Sequence, residues 1–132
     1  MVVSGLPVER SDHAQALAEL ALAMVVTAEA MVDPSGQGVP IRVGIASGPV
    51  VAGVVGTKKF FYDVWGDTVN LAARMESTGE PGRIQVTRRT RDLLAAEYSL
   101  ARRRGNVEVK GKGPMATWFL LGRRQEAATT IA

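Results

Sequence analysis

The chain contains no cysteine, which excludes disulfides, thiolate metal sites and thiol nucleophiles. It has a single histidine, His13, so no multi-histidine metal centre can form within one chain. That residue falls in the first turn of an expected helix and reads as exposed or capping. Aromatic residues are 5% of the sequence and none interleaves with the basic clusters, which argues against a nucleic-acid stacking surface. Long apolar runs are also missing. The most apolar region, residues 14–32, is interrupted by Gln15, Glu19, Thr27 and Glu29, which makes it too polar for a membrane span. The opening Met1-Val2-Val3-Ser4-Gly5 lacks the basic start and apolar core of a signal peptide. A cytoplasmic protein with no membrane partner is the expectation.

What is present suits one domain. A chain of 132 residues can bury about two-thirds of its unfolded surface. Residues 1–4 are β-branched and read as the tail of a strand, closed by Gly5 and Pro7. Ser11 and Asp12 are helix-start residues. Leu17, Leu20, Ala21, Met24, Val25, Ala28, Met31 and Val32 then recur in steps of three and four, predicting an amphipathic helix whose methionines belong to the core. Residues 33–38 form a loop, 41–47 a strand, and 50–55 a second strand apolar on both faces. Gly44, Gly48, Gly53 and Gly56 match neither phosphate-loop pattern and read as turn and bulge glycines. Residues 56–59 form a hairpin tip leading into a strand over 60–65. Strands are further expected at 84–86, 98–104 and 117–121. A helix from Thr87 to about Ala95 has Leu93 and Leu94 inward, and residues 107–109 lead into a lysine loop. This alternation of strands and helices predicts an α/β or α+β sandwich.

The chain is organised around residues 60–74. A β-branched and aromatic run ends at Gly66, and Asp67 is placed to cap a helix over Thr68–Ser77. Asn70 and Arg74 are four apart, hence on one helical face, and Asp63 sits near the end of the preceding strand. A carboxylate, an amide and a guanidinium suit a ligand that carries both a base and a phosphate. A purely structural role, with a cap, a wet helix face and a strand end, accounts for the same spacing.

The order of the residues goes further. Tyr-Asp-Val-Trp-Gly-Asp-Thr-Val-Asn-Leu-Ala-Ala-Arg-Met, residues 62–75, closely resembles the signature of class III nucleotidyl cyclases. Val109-Lys110-Gly111-Lys112-Gly113 resembles that family's triphosphate-binding lysine loop, and Thr78-Gly79-Glu80-Pro81-Gly82 also matches. The resemblance spans Met1 to Arg123, with residues 124–132 as an untethered tail. It implies a ferredoxin-like nucleotide cyclase fold of α+β class, its sheet mostly antiparallel with helices packed on it. It further implies conversion of ATP to 3′,5′-cyclic AMP and pyrophosphate.

In the resembling family Asp63 contacts the adenine amine, Asn70 orients the ribose, Arg74 stabilises the α-phosphoryl charge and Lys110 holds the triphosphate, with Lys112 as an adjacent competitor. These roles suit the side chains, since a guanidinium fork matches phosphate oxygens and a lysine is a mobile point charge. Mg2+ or Mn2+ is implied as well. The family's two metal-binding aspartates and its adenine lysine correspond to positions ahead of Met1, so the chain resembles the last two-thirds of such a domain. Asp12, Asp33 and Asp67 fall in the wrong elements to replace them. The lone chain is therefore expected to be inert, to expose unpaired sheet edges, and to pair as a homodimer or with another cyclase domain. Two other functions compete: a non-catalytic dimerisation partner, and a nucleic-acid-binding module built on Arg88, Arg89, Arg91, Arg102–Arg104, Arg123 and Arg124. Near-balanced charge, net +3, argues against the second.

Overall fold

The computed structural model describes residues 1–6, 8–55 and 61–124, and in 51–55 and 61–65 the backbone alone. The expected hairpin tip at 56–59, the first residue of the strand at Phe60 and residues 125–132 of the expected tail lie outside the described residues. Arg124, the first residue of that tail, is tethered, its amide donating to Glu97 O at 2.9 Å. Along the chain run α1 (His13–Ala30), β1 (Val43–Ile45), β2 (Val51–Val55), β3 (Phe61–Trp65), α2 (Asp67–Ser77), β4 (Ile84–Val86), α3 (Arg88–Leu94), β5 (Tyr98–Arg102), β6 (Val107–Val109), β7 (Gly113–Met115) and β8 (Trp118–Arg123). No helix among the described residues is long and apolar enough to cross a membrane.

The central sheet has the order β1-β4-β8-β5. Its β1–β4 pair is parallel and the other two pairs are antiparallel. Strand alternation sends successive side chains to opposite faces. Ile45, Ile84, Val86, Tyr98, Trp118 and Leu120 point to one face and form the main core with Ala14, Ala18 and Ala21 of α1 and Leu94 of α3. Gly44 and Gln85 point to the other face, against α2. Two hairpins stand apart from this sheet, β2–β3 and β6–β7. This is an α+β fold with a mixed, largely antiparallel sheet and helices packed on it.

Several local expectations are corrected. Residues 1–4 form no strand, and Met1 and Val2 lie exposed. Helix α1 ends at Ala30, and Val32 bridges to Gly38 across the loop. The buried stripe of α1 consists of alanines, whose small side chains let the helix lie close to the sheet. Met24 and Met31 are 42% and 59% exposed, because the longer side chains are left at the flanks of that stripe. Of the two leucines of α3, Leu94 is buried and Leu93 is exposed. The inward face of this seven-residue helix is Thr90 and Leu94, four apart, and Leu93 falls beside it. Strand β5 stops at Arg102, two residues early.

Gly44 is a packing glycine rather than a turn glycine. A Cβ there would stand 2.2 Å from the Glu76 backbone nitrogen and 2.6 Å from both Ala72 O and Met75 C. All three are helix backbone atoms, so no flexible side chain can yield. Along the free edge of β1, between α1 and α2, runs an apolar groove of about 390 Å³.

At the opposite edge of the sheet, the Tyr98 hydroxyl donates to Glu19 Oε1 at 2.7 Å, and the Arg123 guanidinium donates to the same oxygen. These donors, Tyr98 first, hold the Glu19 carboxyl below its ordinary value of 4.5. Burial, then the hydrogen bond to Glu19, pushes the Tyr98 phenol up to about 12.

Two outcomes are expected. Gly44→Ala forces α2 off β1 and lowers stability by at least the ~1–3 kcal/mol typical of overpacking, which urea unfolding measures. Glu19 stabilises the fold above pH 4.5, a contribution lost as pH falls through its depressed folded value. Glu19→Gln therefore shows a shallower loss of urea midpoint on acidification. The slope does not vanish, because the Asp33 carboxyl is also held low, by Ser35 and Gln37.

Candidate functional site

Helix α2 and the β6–β7 hairpin build the site together. Only Gly66 separates the end of β3 from α2. Gly66 has φ 135°, and it, not Asp67, occupies the N-cap position. Asp67 is the first helical residue, an acidic side chain in the first turn. A backbone with positive φ suits glycine, so the turn out of β3 takes the cap position and moves Asp67 into the helix. There the carboxylate faces the partial positive charge of the helix start.

Around α2, each face has a separate task. Ala72 and Glu76 lie over Gly44 of β1. Leu71 and Met75 pack with Val107, Val109 and Met115 in a second apolar cluster, which seats the hairpin on the helix. Asn70 is exposed and Arg74 half-buried. Among the described residues no carboxylate forms an ion pair with Arg74.

The Lys-Gly-Lys-Gly stretch is the turn of a hairpin, not a loop into the final strand. Strand β7, which was not expected, pairs antiparallel with β6, Val107 opposite Met115 and Val109 opposite Gly113. The Lys112 amide donates to Val109 O at 2.9 Å, closing a four-residue turn with Gly111 at φ 82°. Positive φ at the third position is the mark of a type II turn and calls for glycine. Lys110, exposed at the second position, projects from a rigid support.

The two lysines differ in what they meet. Lys112 Nζ lies 2.9 Å from Asp67 Oδ2, tying the turn to the first turn of α2. Asp67 is three residues before Asn70, so the lysine turn and the Asn70–Arg74 helix are held together at the end where α2 begins. Asp63 lies on β3 opposite Gly53 of β2, two residues before that strand ends. Its side chain lies outside the description. Of the four expected site residues, Asn70, Arg74 and Lys110 thus sit on two elements in direct contact, and Asp63 on the strand leading into one of them.

Sequence reasoning missed Asp67 and Lys112 as partners, and it missed Gln85. Gln85 was detectable: it is a lone polar residue between Ile84 and Val86 in a strand buried throughout. The basic clusters also find uses. Arg91 lies 4.5 Å and Arg88 5.7 Å from the centre of a Trp118 ring, and Arg83 and Arg103 lie 3.9 Å and 5.5 Å from that of Phe119. Arginines and aromatics therefore do meet in space, though they are apart in sequence. Both rings are buried, so the arginines cover the core and leave no aromatic platform for bases there.

Among the described residues no three His, Asp or Glu side chains gather where they could hold a metal ion. Cyclases of the resembling family use Mg2+ or Mn2+. The described side chains do not fit such a site.

Residues 1–122 match the family described as the adenylate and guanylate cyclase catalytic domain. An adenylate cyclase of Mycobacterium tuberculosis is 57% identical over 127 residues, covering 96% of this chain. A guanylate cyclase soluble subunit beta-2 of Rattus norvegicus is 47% identical over 122 residues, 92% of this chain. The crystal structure of the guanylate cyclase domain of RhGC from Catenaria anguillulae in complex with GTP superposes with a TM-score of 0.84 at 35% identity over 92% of this chain. The chain spans 28% of the mycobacterial relative, 18% of the rat one and 66% of the solved domain.

The Asp67–Lys112 pair is a partly exposed contact, with the carboxylate side chain 66% accessible. A double-mutant cycle of Asp67→Ala and Lys112→Ala, read by urea unfolding, is expected to give a coupling of about 0.2–1 kcal/mol that shrinks in high salt. A coupling above 2 kcal/mol would mean that the pair is shielded from solvent.

Proposed function

Because the chain belongs to the adenylate and guanylate cyclase catalytic domain family, we propose that it carries the nucleotide-holding part of an adenylate cyclase site. The reaction is ATP to 3′,5′-cyclic AMP and pyrophosphate, and residues 1–123 are the part of the catalytic domain that this chain contributes. One observation carries the reading: the β6–β7 hairpin seats its lysine turn on the helix that bears Asn70 and Arg74.

In that reaction the ribose 3′-oxygen attacks the α-phosphorus, and charge builds on the phosphoryl oxygens and the departing pyrophosphate. Arg74 is permanently cationic and planar, and its two-pronged donor set suits the equatorial phosphoryl oxygens as they gain charge. Asn70, one helical turn earlier, donates to or accepts from the ribose and turns the 3′-oxygen toward phosphorus. Such positioning converts a bimolecular encounter into an intramolecular one. Lys110 binds the β- and γ-phosphates. The Lys112–Asp67 pair supports this choice of lysine, because Lys112 is already neutralised and Lys110 lies next to it on the turn. Asp63 accepts a hydrogen bond from the exocyclic amine of adenine. Guanine presents a carbonyl oxygen at the corresponding position, so a carboxylate acceptor favours ATP.

The metal-binding carboxylates must come from residues other than those described, and the working unit is a pair of cyclase domains, either two copies or this chain with another. A protein consisting of these 132 residues is expected to bind ATP without cyclising it.

The test is calorimetric titration of the folded chain with ATP and GTP, together with an assay for cyclic AMP in manganese. ATP is expected to bind at least tenfold more tightly than GTP, with Asp63→Ala removing the preference. Arg74→Ala and Lys110→Ala are each expected to weaken ATP about tenfold, or about 1.4 kcal/mol. Tighter GTP binding would reassign the base. Cyclic AMP above an Arg74→Ala background would show that the chain holds its own metal ligands. A folded chain that binds neither nucleotide would favour a non-catalytic dimerisation partner.

A further inference from the structure

Beneath the last turn of α2 lies a polar network within the sheet. Gln85 is fully buried and points from β4 toward the helix. Its amide Nε2 donates to Met75 O and to Thr78 Oγ1, both at 2.9 Å. Its Oε1 accepts from Arg103 Nη1 at 2.6 Å and from Thr117 Oγ1 at 3.0 Å. A primary amide has two donors and two principal acceptor positions, and all four are used. Arg103 Nη1 also donates to Thr78 O at 2.7 Å. The Thr78 hydroxyl and amide in turn donate to the Arg74 carbonyl, at 2.7 and 3.0 Å.

The carbonyls at the end of a helix have no partner within it, and they carry the negative end of the helix dipole. Here the carbonyls of Arg74, Met75 and Thr78 are each bound by a group of this network or by Thr78 itself. The one permanent charge among those groups is the Arg103 guanidinium, of the sign that this helix end favours. Arg103 is itself tied by its backbone to the residue before β8, its amide donating to Thr117 O at 2.9 Å. The end of α2 is thus bolted to β4 and to Thr117, the residue that leads into β8.

We propose that Arg103 is a positioning residue for the nucleotide site. Through Gln85 and Thr78 it sets the axial register of α2, and with it the height at which Asn70 and Arg74 meet the nucleotide. This rests on the reading of α2 given above, although Arg103 stands at the far end of the helix and touches neither residue's side chain. Removing its guanidinium leaves Thr78 O and one side of Gln85 Oε1 without a donor. In a buried network the loss is felt by every member, and the last turn of α2 loosens.

Nuclear magnetic resonance of the 132-residue chain tests this through the side-chain signals of Asn70 Nδ2 and Arg74 Nε, alongside an ATP titration. Arg103→Ala is expected to shift both signals and to weaken ATP about tenfold, while Arg103→Lys, which keeps the charge and one donor, recovers part of each change. Arg83→Ala is the control. It removes the other guanidinium stacked on Phe119 without touching the network, and is expected to leave both signals in place. If Arg103→Ala does not fold, Arg103→Gln takes its place, with a neutral and shorter side chain. Unmoved signals in the folded variant overturn the proposal. So do moved signals with unchanged ATP affinity, provided Arg74→Ala does weaken ATP. If the unaltered chain binds no ATP, the nucleotide reading fails by itself, and the two signals still decide whether Arg103 sets the helix.

Discussion

Helix α2 rests with its backbone on β1 because residue 44 has no side chain, and the geometry of the candidate site depends on that close approach. Any Cβ at this position would enter the space of the Ala72, Met75 and Glu76 backbone. Protein interiors are packed too densely to absorb such an intrusion without moving an element. The helix then presents Asn70 and Arg74 away from the sheet, offers Leu71 and Met75 to the β6–β7 hairpin, and ends on the Gln85 network. Three separate contacts constrain one short helix, so Asn70 and Arg74 are carried on an anchored support.

The charged residues divide their work in a similar way. Asp67 draws Lys112 to the start of α2. Glu19 gathers Tyr98 and Arg123 at the edge of the central sheet. Arg83, Arg88, Arg91 and Arg103 lie over the rings of Phe119 and Trp118, where a cation is attracted to the electron-rich face. A sequence whose arginines look like a basic surface thus spends several of them covering its own core. Of the clusters considered for nucleic-acid binding, Arg88, Arg91 and Arg103 are among the arginines placed over these rings.

Family membership and site geometry bear on different questions. Membership rests on residues 1–122 as a whole, and it extends to relatives named for adenylate and for guanylate cyclases alike. Membership in the family therefore leaves the choice of base open, and in the proposed reading it falls to Asp63. Metal chemistry turns on carboxylates that the described residues do not bring together. The proposed division of labour, with nucleotide contacts on Asn70, Arg74 and Lys110 and metal ligands on other residues, is compatible with both points.

Short-range order was legible from the residues alone. The glycine that ends β3, the i, i+4 spacing of Asn70 and Arg74, the Thr87 cap whose hydroxyl accepts from the Thr90 amide, and the alternating apolar pattern of the strands are all set by neighbours along the chain. Local sterics and periodicity act over a few residues, so they can be read in order. The signature around Asp63 was legible for the same reason, since its parts are contiguous. Tertiary structure alone decided which lysine is engaged by Asp67, that Gly44 is a contact surface and not a turn, that Met24 and Met31 lie outside the core, and that Gln85 and Arg103 hold the end of α2. Each of these depends on which element is brought against which, and that is a matter of volume and of satisfying buried polar groups across the whole fold.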